Sequence, residues 1–192
     1  MEFAQSRTAQ NLLKAFAGES QARNRYTFAA AIARKDGFEH IASVFEETAH
    51  NEREHARLFY AHLAQLAPGA LEITATYPVV AGDVKAQLQA AQMGEHEEWV
   101  DLYPEFARIA REEGFSDVAR TFEAIAKVEK EHEARFQRLL GHAEEGTVFI
   151  RNERICWRCR ECGHVHEGLN APKACPVCLK PQGYFEPVAE SF

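Results

Sequence analysis

Two short stretches carry the residues best suited to chemistry: Glu52-Arg53-Glu54-His55 and Glu129-Lys130-Glu131-His132. Each is Glu-x-x-His inside an Ala-rich, helix-forming segment. Residues three apart share a helix face, so Glu52 and His55 point the same way, as do Glu129 and His132. Upstream of them stand Glu19 and Glu95. One Glu from each of two helices, with Glu-x-x-His from each of two others, is the ligand set of a di-metal site inside a four-helix bundle.

Charge says what such a site must hold. Glu19, Glu52, Glu95, Glu98 and Glu129 all fall on inward faces, and burying unpaired carboxylates is very costly. Two metal cations offset that charge. A carboxylate-rich set with two imidazoles suits iron or manganese better than structural zinc, which prefers Cys and His. Glu54 and Glu131 point roughly 130° away from the ligand face and read as solvated. His62 reads as a packed residue and His96 as a surface one. Tyr26 and Tyr103 lie on the ligand stripes, either as core aromatics or as hydroxyls that hold ligand carboxylates.

The elements that position these residues form an internal repeat. Gly18-Glu19 matches Gly94-Glu95 at an offset of 76 residues, and from Tyr26 and Tyr103 onward the offset is 77. Phe45 then falls on Phe122, Glu52 on Glu129, His55 on His132 and Phe59 on Phe136. The one-residue shift predicts a widened, π-type turn or kink between Glu98 and Pro104. Pseudo-symmetry pairs Glu95 with His132 on one metal and Glu19 with His55 on the other. Glu98 breaks the symmetry, because its counterpart is Ala22; it is read as a surplus ligand that reaches across to the second metal.

The spacing predicts a first helix from about Phe3 to Arg34, closed by Gly37, with Leu12, Leu13, Phe16, Glu19, Ala22, Arg23 and Tyr26 facing in. A second spans Glu39 to Leu66 and is stopped by Pro68-Gly69. Residues 67–82 are long for a simple turn, which predicts a crossover along the bundle with a β-rich piece at 71–77. A third helix starts at Asp83 as N-cap. A fourth follows Gly114, with Ser116 as cap, and ends near Gly141.

Beyond about Gly146 the composition changes to Cys, Pro, Gly and aromatics, which divides the chain into 1–146 and 147–192. Cys156-Trp157-Arg158-Cys159-Arg160-Glu161-Cys162-Gly163 and Cys175-Pro176-Val177-Cys178 supply five cysteines. Paired Cys-x-x-Cys motifs without a secretion signal read as a tetrahedral thiolate metal site. Cys156 with Cys159 gives the generic zinc-ribbon spacing. Cys159 with Cys162 puts Gly163 after the second thiolate, where glycine lets the backbone turn tightly and aim N–H groups at sulfur. That favours Cys159, Cys162, Cys175 and Cys178, with Cys156 left free.

Taken together, the Glu/Glu-x-x-His bundle and the run Cys-Arg-Glu-Cys-Gly-His-Val-His-Glu-Gly before Ala-Pro-Lys-Ala-Cys-Pro-Val-Cys resemble the rubrerythrins over essentially the whole chain. The resemblance implies a ferritin-like four-helix bundle followed by a small rubredoxin-like domain. It implies a non-haem di-iron site and one iron in the tetracysteine site, and it settles the same four cysteines. By resemblance Glu52 and Glu129 bridge the irons, and Glu19, Glu95, Glu98, His55 and His132 are terminal ligands, with Glu98 and His55 exchanging at one iron. The implied activity is reduction of hydrogen peroxide to water in defence against oxidative stress, fed by an external electron donor, a rubredoxin or a reductase. A homodimer is also implied, in which the rubredoxin-like iron of one subunit serves the partner's di-iron site. His164 departs from the family, which usually has an aromatic there.

Other classes fit less of the chain. Iron oxidation by a ferritin-like protein explains the bundle but not the tail. A zinc-ribbon interaction module explains the tail but wastes five buried carboxylates. The net charge of −7 argues against general nucleic-acid binding. The first residues carry no apolar signal core, and no run approaches the roughly 18 apolar residues of a membrane span. The chain reads as cytoplasmic.

Overall fold

The structure, a computed structural model, describes residues 2–188. Ser6 opens the first long helix, α1 (Arg7–Lys35): its Oγ accepts from the Ala9 N–H at 3.0 Å and donates to the Phe3 carbonyl. The helix therefore starts four residues after the expected Phe3, since residues 3–5 form only a 3-10 turn. On α1, Arg23 is exposed although it was expected to face in; it lies 100° round from Ala22, off the stripe, where its charge stays in water. The second helix, α2 (Glu39–Leu66), has the expected bounds and buries Ile41, Val44, Phe45, Thr48, Glu52, His55 and Phe59.

The repeat extends to the turns. Gly37 and Gly114 take φ +86° and +89°. After each, the next N–H reaches back five residues, from Phe38 to Ala33 and from Phe115 to Ala110. This is the Schellman stop, whose left-handed residue favours glycine. The crossover at 67–83 forms no strand, against the β-rich expectation for 71–77. It has no neighbouring strand to pair with and is instead pinned by the Tyr77 hydroxyl, which donates to the Lys14 carbonyl of α1 at 2.9 Å.

Asp83 caps α3 (Val84–Glu97), with Oδ1 accepting from the N–H groups of Lys85 and Ala86. The expected widening follows as a π turn over Glu98–Leu102, in which the Tyr103 N–H bonds the Glu98 carbonyl. Then come α4 (Tyr103–Glu112), with Pro104 in its first turn, and α5 (Ser116–Glu144). Ser116 is the first helical residue and makes no cap bond; Phe115 holds the cap position, and α5 runs past Gly141.

Two aromatic trios bracket the ligand layer. Tyr26, Phe45 and Phe136 lie on one side with ring centroids 5.1–5.9 Å apart. Their repeat counterparts Tyr103, Phe122 and Phe59 lie on the other at 4.9–5.7 Å. Such rings bury large apolar area in fixed geometry, so the ligand-bearing turns are clamped from both ends.

The tail is an antiparallel sheet in the order β2-β1-β3, with β1 (Ile150–Cys159), β2 (Val165–Asn170) and β3 (Phe185–Pro187), over buried Trp157 and Phe185. It docks on the α1–α2 turn. Phe149 stacks on Phe38 at 5.9 Å, and Gly183 packs so closely that an added Cβ would sit 2.1 Å from the Gly37 carbonyl oxygen. Neither backbone can yield cheaply, so Gly183→Ala is expected to undock the tail at a cost of about 1–3 kcal/mol or more. Limited proteolysis near residues 145–149 measures it, and unchanged protection would refute the contact.

A second link is ionic. Glu186 of β3 is buried, accepts from Arg158 at 2.6 Å and from Arg160, and lies 3.3 Å from His40 of α2. Burial opposes its ionisation, but His40 and the two arginines win and hold the carboxyl at about 2, below the ordinary 4.5. A depressed carboxylate contributes stability above its unfolded pKa and loses it as pH falls through the folded value. The gap corresponds to at most about 3 kcal/mol, discounted because Arg158 is half exposed. Parent and Glu186→Gln are therefore expected to differ in unfolding free energy at pH 7 and to converge between pH 4.5 and about 2. A difference that does not shrink over that range would count against the pairing.

Candidate metal centres

Glu52 and His55 from α2, Glu129 and His132 from α5, Glu19 from α1 and Glu95 from α3 converge between the aromatic trios. All four glutamates are at most 1% exposed. They form two groups, Glu19-Glu52-His55-Glu129 and Glu52-Glu95-Glu129-His132, with donor atoms within 4.8 Å of one another in each. Glu52 and Glu129 belong to both. His55 Nδ1 lies 2.8 Å from Glu52 Oε2, 2.8 Å from Glu129 Oε1 and 3.9 Å from Glu19 Oε1. His132 Nδ1 lies 3.2 Å from Glu52 Oε1, 2.7 Å from Glu129 Oε2 and 3.6 Å from Glu95 Oε2.

This geometry fits metal ions better than hydrogen bonds. One imidazole nitrogen carries a single proton, yet three carboxylate oxygens surround each Nδ1. Buried oxygens of Glu19, Glu52, Glu95 and Glu129 consequently have no partner, and a group left so costs several kcal/mol. One nitrogen and three oxygens around a common point are a cation's donor set. The electrostatics agree. Burial, followed by neighbouring carboxylates, raises Glu19 and Glu95 well above the usual range. Burial disfavours charged imidazoles, but the adjoining carboxylates, Glu129 first and then Glu52, override it and push His55 up to about 10 and His132 to about 12. The cluster demands positive charge, and metal binding would release those protons.

Tyr26 and Tyr103 take both of the roles open to them. Each is core, and each donates its hydroxyl across the bundle, Tyr26 to Glu95 Oε1 and Tyr103 to Glu19 Oε1. Burial and the adjoining carboxylates raise both phenols well above 10, so they remain donors. The π turn makes this possible: it absorbs the extra residue after Glu95 and returns Tyr103 to the register that Tyr26 holds. Glu98, at the start of that turn, stands outside both groups and lines a cavity between α1, α3 and the crossover. His62 bonds Thr121 at 2.9 Å, away from the centre. His96 is exposed and meets Glu133 at 3.0 Å, and Glu131 is exposed. Trp99, which the periodicity did not single out, anchors the π turn by donating to Glu133 Oε2 at 2.5 Å.

In the tail, the sulfurs of Cys159, Cys162, Cys175 and Cys178 lie within 4.8 Å of one another. Cys159–Cys178 and Cys162–Cys175 are 3.7 and 3.6 Å apart. A tetrahedron with metal–sulfur bonds of about 2.3 Å has edges near 3.8 Å, while a disulfide is about 2.05 Å. Gly163 takes φ +77°, the tight turn expected of it. Its own N–H, however, bonds the Cys159 carbonyl at 2.8 Å, and the amide turned on the Cys162 sulfur is that of His164. Backbone amides of Cys178 and Val177 face Cys175, and that of Lys180 faces Cys178. Cys156 lies outside the group, on β1 opposite Glu167.

The chain matches the rubrerythrin family model over residues 10–140 and the rubredoxin-like domain of rubrerythrin over residues 157–186. It is 54% identical to rubrerythrin of Porphyromonas gingivalis, over 97% of this chain and 92% of that protein. It is 53% identical to rubrerythrin-1 of Clostridium acetobutylicum, over 97% of each. Nigerythrin in a mixed-valence state superposes with a TM-score of 0.65 at 32% identity, covering 96% of this chain and 90% of that one. Among the described residues, no helix is long and apolar enough to cross a membrane. The carboxylate–imidazole centre and the four-thiolate centre are thus iron sites, one di-iron and one mononuclear, and the chain that carries both belongs to the rubrerythrin family.

Proposed function

We propose that the chain is a non-haem di-iron peroxidase that reduces hydrogen peroxide to water. The observation that carries this reading is a pair of donor groups sharing Glu52 and Glu129, beside a cavity lined by Glu98, in one chain with a tetracysteine site. When bound, the paired ferrous ions supply two electrons together, which allows the O–O bond to be cleaved without release of a radical.

The protein's part is positional. Glu52, Glu129, His55 and His132 would hold the pair between them, with Glu19 and Glu95 as outer ligands. The hydroxyls of Tyr103 and Tyr26 fix those outer carboxylates and keep their protons. Glu98 meets the incoming substrate from the cavity side. Its carboxyl, at the edge of the cavity, is placed to pass a proton to the departing oxygen. Cys159, Cys162, Cys175 and Cys178 would hold the iron that returns electrons one at a time from a rubredoxin or a reductase; zinc in their place has no redox chemistry. We divide the chain at 146/147, place it in the cytoplasm, and read it as a homodimer on family resemblance.

The test is metal analysis of anaerobically purified protein, followed by peroxide turnover with a rubredoxin-type reductase. Three irons per chain, a red colour that dithionite bleaches, and reductant-dependent peroxide loss are expected. A colourless zinc-containing protein without turnover would return the tail to an interaction module.

A further inference from the structure

The cavity beside Glu98 is larger than hydrogen peroxide needs. It holds about 350 Å³, room on the order of ten waters. Its lining mixes apolar groups, among them Leu102, Phe106 and the Tyr77 ring, with polar ones, among them Gln21, Arg25 and Glu98. Two mid-helix glycines keep it open. A Cβ placed on Gly18 would lie 3.8 Å from the Tyr77 ring and 3.9 Å from Glu98 Oε1, and one on Gly94 would lie 3.9 Å from Arg25 Nη2. A larger side chain at Gly18 would therefore fill the space between the crossover and Glu98. Glycine inside a helix costs roughly 0.5–1 kcal/mol relative to alanine. Both copies of the repeat carry this cost at the residue before a ligand glutamate, and both glycines face the same cavity. Tyr77, tethered to the Lys14 carbonyl at 2.9 Å, roofs it.

We propose that this cavity admits small alkyl hydroperoxides, with the alkyl group against Leu102, Phe106 and the Tyr77 ring and the O–O group at Glu98. The proposal rests on the peroxidase reading and extends its substrate class. The balance is that of hydrogen peroxide: the O–O bond breaks with uptake of two protons and of two electrons, which the iron pair would supply when bound and reduced. The alkyl-bearing oxygen leaves as an alcohol and the other as water. Gly18 sets how bulky an alkyl group can reach Glu98, and Tyr77 sets the width of the mouth.

Turnover of hydrogen peroxide, tert-butyl hydroperoxide and cumene hydroperoxide is compared on the iron-loaded protein, and crystals of the oxidised protein are soaked in tert-butyl alcohol. The parent is expected to reduce tert-butyl hydroperoxide within about tenfold of its rate with hydrogen peroxide, a barrier difference of about 1.4 kcal/mol. Gly18→Leu is expected to lose at least tenfold more of the alkyl activity than of the hydrogen peroxide activity. Tyr77→Phe, which keeps the ring but releases the tether to Lys14, and Tyr77→Ala, which also removes the roof, should raise cumene hydroperoxide turnover in that order. The soaked alcohol should occupy the space between Tyr77 and Glu98. Turnover of hydrogen peroxide alone, with no alcohol in the cavity, would overturn this proposal and leave the peroxidase reading standing. Turnover of neither peroxide would overturn both.

Discussion

Serine in place of any one of Cys159, Cys162, Cys175 or Cys178 is expected to empty the tail of iron and end donor-driven peroxide turnover. The reduced di-iron centre should still consume one equivalent of peroxide. The reason lies in what the four sulfurs share. Their separations of 3.6 and 3.7 Å are those of a tetrahedron around one metal, and backbone amides of His164, Val177, Cys178 and Lys180 are already turned on the thiolates. A serine hydroxyl stays protonated and cannot supply the missing charge, while the binding free energy of such sites is on the order of 10 kcal/mol. Steady-state turnover should fall by about a hundredfold or more, equivalent to roughly 2.7 kcal/mol or more in the rate-limiting barrier. Cys156→Ser should change little, because Cys156 joins its neighbours through its backbone, accepting the Val188 N–H at 2.9 Å. Visible absorption, iron content and a single-turnover assay on each variant decide it. A colourless Cys156→Ser beside a red Cys162→Ser would be incompatible with the assignment.

The centres were legible because they are written in short periods. Glu52 with His55, and Glu129 with His132, are fixed by helix geometry alone, and Gly163 is fixed by the turn it must make. The π turn was legible for the same reason. Six residues separate Glu19 from Tyr26 and seven separate Glu95 from Tyr103, so a helix that must present both tyrosines to the core has to absorb one residue. Features set by tertiary contact left no such trace. The piece at 71–77 has the composition of a strand but meets no partner strand, and Tyr77 goes to a helix carbonyl instead. Ser116 has the chemistry of a cap, but the repeated Schellman turn before it gives that position to Phe115. The docking of Gly183 on Gly37 and of Glu186 on His40 joins residues nearly 150 positions apart, and neither local pattern nor charge in the sequence pairs them. Trp99 escaped notice because its partner Glu133 is on α5, beyond the reach of a periodicity argument.

Glu98→Ala is expected to leave both irons bound and to slow reaction with peroxide at least tenfold, about 1.4 kcal/mol in barrier, while reaction with dioxygen changes much less. Retention of iron follows from the donor sets. Glu19, Glu52, His55 and Glu129 form one and Glu52, Glu95, Glu129 and His132 the other, and Glu98 belongs to neither, so removing it subtracts no donor from them. The selective loss follows from where Glu98 stands. It lies at the start of the π turn, on the cavity side, with an oxygen 3.9 Å from where a Cβ on Gly18 would be. A peroxide arriving through that cavity meets this carboxyl in its lining, and its cleavage needs a proton at the departing oxygen. Resemblance to the rubrerythrins implies a further role, in which this carboxylate would replace His55 as a ligand at the higher metal charge, where an anionic oxygen is favoured over a neutral imidazole. Dioxygen brings no leaving oxygen that must be protonated in its first step, so it depends on Glu98 less. Glu98→Gln keeps the shape of the side chain but removes both its proton and its charge, and should be as slow with peroxide as Glu98→Ala if chemistry rather than bulk is what Glu98 contributes. Rapid mixing of each reduced variant with peroxide and with dioxygen gives the rates. Equal slowing with both oxidants, or none with peroxide, would reduce Glu98 to a wall of the cavity.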